Sequence, residues 1–199
     1  MILAAGGSSR MGQPKQLLEH GGTTLLRRAA QAAVDSDVEP IVVVLGAHAE
    51  RLVAELADLP LSIVVNESWN SGIGSSIRAG IRALDGADFD AVAILLADQP
   101  FVNAAVLRRL TAAFRTTDVP IVASSYGDTR GVPALFDRTY LPQLAALSDD
   151  CGAKALIADA GGAVHSVPFP QGACDIDTPA DYHQLQSRNQ RNGGPCHAG

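Results

Sequence analysis

Short apolar runs alternate along this chain with stretches in which apolar residues recur at three- and four-residue spacing. The runs are MILAA (1–5), IVVVLG (41–46), LSIVVN (61–66), AVAILLAD (91–98) and VPIVASS (119–125). Between them stand TLLRRAAQAAV (24–34), AERLVAELADL (49–59), IGSSIRAGIRAL (73–84) and NAAVLRRLTAAF (103–114). Runs without polar alternation belong to strands covered on both faces, and the intervening spacing is that of helices with one buried face. The pattern predicts an α/β chain, a mostly parallel twisted sheet between two helical layers. Beyond about residue 125 the alternation loosens into GVPALF (131–136), DRTYLPQLAAL (137–147), GAKALIADAGG (152–162) and DIDTPADYHQL (175–185). The closing QSRNQRNGGPCHAG (186–199) is polar and glycine-rich and reads as a frayed tail, which leaves residues 1–185 as one domain.

Composition narrows the partners. With 47% hydrophobic residues the chain is globular rather than disordered. Its 21 acidic against 15 basic side chains give a formal net charge of −6, which argues against a protein that coats a nucleic-acid backbone. Any phosphate it binds must be met by a few placed cations. The three cysteines (Cys151, Cys174, Cys196) form no CxxC pair and read as reduced thiols of a cytoplasmic protein. The five histidines are scattered without HxxxH spacing, so no zinc site is expected. No apolar run approaches the ~18–20 residues of a membrane span.

In sheets of this kind, ligands bind beyond the carboxyl ends of the strands. The loop GGSSRMGQPK (6–15) follows the first run there. Gly6 and Gly7 can adopt positive φ and bring backbone close to an oxyanion, Ser8 and Ser9 add hydroxyls, and Arg10 and Lys15 add two full charges. It is neither GxxxxGK[ST] nor GxGxxG, and an ordinary βα turn with exposed cations would use the same residues. Asp98 ends the most hydrophobic run, where a partly desolvated carboxylate needs a partner. Mg²⁺ held by one or two carboxylates and substrate phosphates fits that need, and a turn aspartate ahead of Pro100 fits it too. Asp175 and Asp177 fall on the same side of an extended segment and with Asp98 could hold one metal. Thr178-Pro179 reads as a helix start. Gly74, Ser75 and Ser76 begin a helix, whose amides and hydroxyls suit a base edge or ribose as well as plain capping.

Six motifs in order, LAAGGSSRMGQPKQLL, GIGSSIRAGI, LLADQPFV, GVPALF, DDCGAKALI and DIDTPADY, resemble the MobA-like nucleotidyltransferase family. The resemblance runs from Ile2 to about Leu185 and is nearest to the molybdenum cofactor cytidylyltransferase (MocA-like) branch. It implies a single Rossmann-like three-layer domain of the nucleotide-diphospho-sugar transferase type and Mg²⁺-dependent transfer of a nucleoside monophosphate. For the cytidylyl branch the substrates would be CTP and molybdenum-bearing molybdopterin, and the products molybdopterin cytosine dinucleotide and pyrophosphate. LAAG at Leu3 to Gly6 resembles cytidylyl members, where guanylyl relatives usually read LAGG.

By the same resemblance, Arg10 and Lys15 are the catalytic cations, and Leu3, Ala4, Ala5, Gly6, Gly7, Ser75 and Asp98 bind the nucleotide. Asp98 and Asp177 hold Mg²⁺, with Asp175 as a further or outer ligand. Gln99, Pro100, Gly131 and Pro133 face the pterin acceptor. Asp150 to Lys154 resembles a family GDxGA segment, but Asp149 stands where glycine is common, and no role is assigned to it. A xanthine dehydrogenase-like apoenzyme would be the transient partner. Relatives usually carry several residues before the leucine of LAAG, whereas only Met1 and Ile2 precede it here, so either the first strand is unusually short or the start is placed late. The resemblance leaves two alternatives: a guanylyl or other nucleotidyltransferase with a different phosphorylated acceptor, and, from other relatives of the fold, an NADPH-dependent oxidoreductase of the nicotine blue type, with no need of the metal pair.

Overall fold

The computed structural model describes residues 1–192, with side chains through Ser187. In chain order the strands are β1 (Ile2–Ala4), β2 (Glu19–His20), β3 (Thr23–Thr24), β4 (Val42–Leu45), β5 (Ser62–Val65), β6 (Ala91–Leu96), β7 (Ile121–Tyr126), β8 (Thr129–Asp137) and β9 (Val164–Pro168). The helices are α1 (Leu25–Val34), α2 (Ala49–Leu52), α3 (Ile73–Ala83), α4 (Ala104–Thr116), α5 (Leu141–Ala145), α6 (Ala153–Asp159) and α7 (Pro179–Asn192). Seven strands form one sheet in the order β5-β4-β1-β6-β8-β7-β9, and β2 and β3 make a separate hairpin. β5, β4, β1 and β6 run parallel, β8 runs antiparallel to both of its neighbours, and β9 is parallel to β7. This is the mostly parallel α/β domain that the pattern predicts.

Strand alternation divides the core between the two faces of the sheet. Ile2, Val43, Leu45 and Leu95 pack with Leu26 of α1 and Leu107 and Leu110 of α4. Leu3, Val42, Val44 and Ile94 pack on the opposite face with Ile77 of α3 and Leu144 of α5. Both faces are apolar, so the central strands read as unbroken runs in the sequence. A third, smaller cluster of Met11, Leu18, Leu25, Ile176 and Leu185 joins the first loop to the C-terminal helix.

Three segments differ from the pattern or sharpen it. The helical stretch expected over 49–59 is one α-turn followed by a 3-10 turn at Val53–Leu56, so that Leu52 and Leu56 are both buried before Pro60 ends the helical path. Residues 186–192 continue α7 instead of fraying, and Gln186 Nε2 donates to the Glu19 carbonyl at 3.0 Å. The rest of the expected tail, 193–199, lies outside the described residues. The first strand has three residues, with the Met1 amine donating to the Ala93 carbonyl at 2.8 Å. Among the described residues no helix is long and apolar enough to cross a membrane.

Candidate active site

The site lies at the carboxyl ends of β1, β4, β5 and β6, where the polar segments of the sequence converge. β1 delivers the chain into a loop that Gln16 holds in place. Its buried side chain donates from Nε2 to the carbonyls of Ala4 (2.9 Å) and Gly6 (2.8 Å), and the Ser8 hydroxyl accepts from the Lys15 amide at 3.0 Å. The left-handed turns of this loop fall at Ser8 (φ 54°) and Gly12 (φ 74°), not at Gly6 and Gly7 as expected. Gly7 is glycine for want of space: a Cβ there would stand 2.9 Å from the Trp69 ring. Gly6 faces open space at the cleft.

The loop ends by placing Lys15 between two carboxylates. Its Nζ donates to Asp98 Oδ2 at 2.5 Å and to Asp177 Oδ1 at 2.8 Å, while Arg10 reaches Asp177 Oδ2 at 3.0 Å. The side chains of Lys15 and Asp98 are only 18% and 15% exposed, against 68% for Arg10 and 40% for Asp177. Asp98 follows β6; Asp177 comes from far along the chain and is brought in by one backbone bond, Ile176 N–H to the Asp98 carbonyl at 3.1 Å. Ile176 is fully buried in the third cluster, which turns its two acidic neighbours toward the cleft.

Charge follows this geometry. Burial opposes the ammonium of Lys15, but Asp98 and Asp177 outweigh it and raise its pKa above the ordinary lysine value. The hydrogen bond from Lys15 holds the Asp177 carboxyl below the usual range, with Arg10 adding to the effect. Asp175 moves the other way: desolvation, reinforced by the charge of Asp98, pushes it up to about 6. Asp98 Oδ1 is buried without a hydrogen-bond partner, so this carboxylate keeps acceptor capacity toward the cleft. Two converging carboxylates, one with a free buried oxygen, suit a divalent cation completed by substrate oxygens. Among the described residues no group of three or more His, Cys, Asp or Glu is placed to hold a metal, so Asp175 does not complete a three-carboxylate site.

Two cavities flank a ridge formed by Leu3, Ile73 and Leu96. The first, about 230 Å³, is lined by Ala4, Ala5, Gly6, Lys15, Gln16, Trp69, Ser76 and Asp98. The second, about 190 Å³, is lined by Gln99, Tyr126, Gly131, Lys154 and Asp175. Gly131 belongs to the antiparallel strand β8, whose beginning lies at the same edge as the ends of its neighbours. Of the expected acceptor residues, Gln99 and Gly131 face this cavity. Pro100 and Pro133 do not: their carbonyls accept from Arg28 (3.3 Å) and from the Ser124 hydroxyl (2.7 Å), inside the scaffold. Ser75 also departs from its expected place at the base. Its hydroxyl points inward, within hydrogen-bond distance of Asn66 Nδ2 and the Ser68 and Gly72 carbonyls, and Ser76 lines the cleft instead.

A family model described as the MobA-like NTP transferase domain matches residues 1–165 of the chain. The chain belongs to the MobA-like NTP transferase family. Relatives include nicotine blue oxidoreductase of Paenarthrobacter nicotinovorans, 34% identical over 79% of each chain. Molybdenum cofactor guanylyltransferase of Rhodobacter capsulatus is 29% identical over 96% of each. Among solved structures, Rv0371c of Mycobacterium tuberculosis H37Rv superposes with a TM-score of 0.82 at 30% identity, over 94% of this chain and 95% of that one. A manganese complex of Rv0371c superposes at 0.75 with 28% identity, over 94% and 96%.

The MobA-like match stops short of Asp175 and Asp177, which the fold carries back to the site. Sequence reasoning missed Gln16, Trp69 and Tyr126. Gln16 follows the loop lysine directly, and a glutamine ahead of two leucines gives no periodic signal. A lone tryptophan in a polar, glycine-rich stretch was a usable signal. Tyr126 could be found only through Gly131, where a Cβ would come 2.1 Å from the tyrosine hydroxyl. The DDCG turn ahead of α6 docks on the start of α3: Gly74 N–H donates to the Asp149 carbonyl at 2.9 Å, and a Cβ on Gly74 would meet the Ser148 carbonyl. Glycine at 74 thus serves packing, and its amide is not open to a ligand.

Proposed function

We propose that this nucleotidyltransferase of the MobA-like family transfers CMP from CTP to molybdenum-bearing molybdopterin, giving molybdopterin cytosine dinucleotide and pyrophosphate. The observation that carries the reading is Lys15, nearly buried between Asp98 and Asp177 beside two adjoining cavities. A base and ribose fit the cavity at Ala5 and Gly6, with the triphosphate directed toward Arg10 and Lys15. The acceptor lies across the ridge, against Gln99, Gly131 and Asp175.

The terminal phosphate of the acceptor is already anionic, so the reaction needs positioning and neutralisation more than a strong base. One of its oxygens bonds to the α-phosphorus of CTP as the bond from that phosphorus to the bridging oxygen breaks, and the electron pair leaves with pyrophosphate. Lys15 neutralises charge at the α-phosphate and Arg10 at the leaving phosphates. Asp98 and Asp177 would hold Mg²⁺, which would supply a further positive charge to the phosphate oxygens; that a manganese complex of Rv0371c exists supports a divalent ion in the reaction. In the metal-free chain, Lys15 provides the cation between these carboxylates. CTP over GTP rests on the LAAG sequence at Leu3 to Gly6.

The 34% identity to nicotine blue oxidoreductase favours a second reading, an NADPH-dependent reductase using the same cavities. Thermal melts with CTP, GTP, ATP and NADPH, each with and without Mg²⁺, separate the two. A ligand at 100 times its Kd adds about 2.7 kcal/mol to the folded state. A Mg²⁺-dependent shift with CTP, lost in Asp98→Asn, supports cytidylyl transfer and leads to a pyrophosphate-release assay with molybdopterin. A shift with NADPH alone, retained in Asp98→Asn, establishes the reductase reading instead.

A further inference from the structure

Trp69 is the only tryptophan of the chain and stands 37% exposed in the wall of the first cavity. Burial does not explain its position there, since an indole left open to water forgoes much of its apolar stabilisation. The surroundings are nevertheless shaped to hold it. A Cβ on Gly46 would come 2.5 Å from Trp69 Cβ, and one on Gly7 would come 2.9 Å from Cζ3, so two glycines clear the space for one side chain. The turn that carries it, Trp69–Ser71, is fixed from below. Buried Asn66 accepts the Trp69 amide at its carbonyl (3.2 Å) and the Ser68 amide at Oδ1 (3.1 Å), and donates from Nδ2 to the hydroxyls of Ser75 (2.8 Å) and Ser76 (3.0 Å).

A rigid, partly exposed aromatic surface beside open backbone at Gly6 suits a flat heteroaromatic ring. We infer that Trp69 is the apolar wall against which the nucleotide base packs, and that Asn66 and Ser75 are positioning residues that hold the indole in place before ligand arrives. The inference rests on the nucleotide reading above and adds to it the side chain that meets the base. It also gives Ser75 a role without contact to ligand.

Because the chain has one tryptophan, the wild-type protein reports directly. Titration with CTP quenches Trp69 emission saturably, with the Kd that calorimetry gives, while inorganic tripolyphosphate, which has no base, binds without quenching. Trp69→Phe keeps CTP affinity within about threefold, and Trp69→Ala loses about 5- to 150-fold, the range for a base stacked on an aromatic ring. Tripolyphosphate binds Trp69→Ala as it binds wild type, so a merely structural loss, which would lower Tm and weaken both ligands alike, is told apart. Calorimetric CTP binding with unmoved emission, or Trp69→Ala binding CTP like wild type, overturns the inference and leaves the CTP reading standing. Quenching by GTP or ATP in place of CTP upholds the base wall and overturns the choice of CTP. If no nucleotide binds, both fall.

Discussion

The two cavities on either side of the Leu3–Ile73–Leu96 ridge are built in opposite ways. The first cavity draws its walls chiefly from the ends of adjacent parallel strands, and its loop is closed by residues within a dozen positions of one another, from Ala4 to Gln16. The second cavity gathers Gln99, Tyr126, Gly131, Lys154 and Asp175 from separate segments, around a strand that runs against its neighbours. On the reading proposed above, a locally closed cradle would serve the triphosphate. A cavity assembled from distant pieces can change one wall at a time, which suits the part of the reaction that distinguishes one acceptor from another.

Substitutions at the junction should damage both halves most. Lys15→Met removes the cation between Asp98 and Asp177, and pyrophosphate release should fall by about 10²- to 10³-fold at saturating CTP, measured as single-turnover rate. Gln16→Ala attacks the first cavity alone. It strips the Ala4 and Gly6 carbonyls of their partner, should cost about 1–3 kcal/mol in urea unfolding, and should weaken CTP more than acceptor. Gly131→Ala attacks the second. The Tyr126 hydroxyl must move away from the new methyl, and acceptor binding should weaken by about tenfold while the CTP Kd stays constant. An equal loss for both ligands would dissolve the distinction between the two cavities.

The smallest effect is a matter of pH. The Asp175 carboxyl titrates at about 6 in the folded chain, against an ordinary aspartate value of 3.8. Between those values the folded state binds a proton that the unfolded state does not, so this group adds stability as pH falls from 7 toward 4 and withdraws it as pH rises through 6. Asp175→Asn should therefore stabilise the metal-free protein at pH 7 by at most about 1 kcal/mol, after solvent screening, with the gain vanishing near pH 4. Asp177, whose pKa is lowered, works in the opposite direction: its contribution is present above the ordinary carboxylate range and lost in acid. Melts of both variants across pH 4–8 check the two signs.

The parallel half of the sheet was legible because burial on both faces leaves nothing but apolar residues in β1, β4 and β6. Asp98 was legible for a related reason, since a charge at the end of such a run stands out, and Lys15 because it closes a glycine- and serine-rich loop after one. The roles of the glycines were not. Gly7 and Gly46 answer to the ring of Trp69, Gly74 to the Ser148 carbonyl and Gly131 to the Tyr126 hydroxyl, contacts that the local sequence does not announce. Ser75 misled because a hydroxyl at a helix start suits a ligand and a buried network equally well, and only its three inward partners decide. Pro100 and Pro133 sit next to cavity residues: Pro133 is one step along the strand β8, which turns its side chain to the other face, and Pro100 lies in the turn after Gln99.

The single bond from Ile176 to the Asp98 carbonyl has a bearing on biosynthesis. As the polypeptide leaves the ribosome, the loop with Lys15 emerges first and Asp98 midway, one after β1 and the other just after β6, two strands that pair with each other. Asp177 arrives only after β9, and until Ile176 docks, Lys15 has one carboxylate in place of two. A nascent chain halted before this stretch could carry most of the sheet and still lack half of its acidic pair. The acidic pair would thus be completed only after the sheet that frames it.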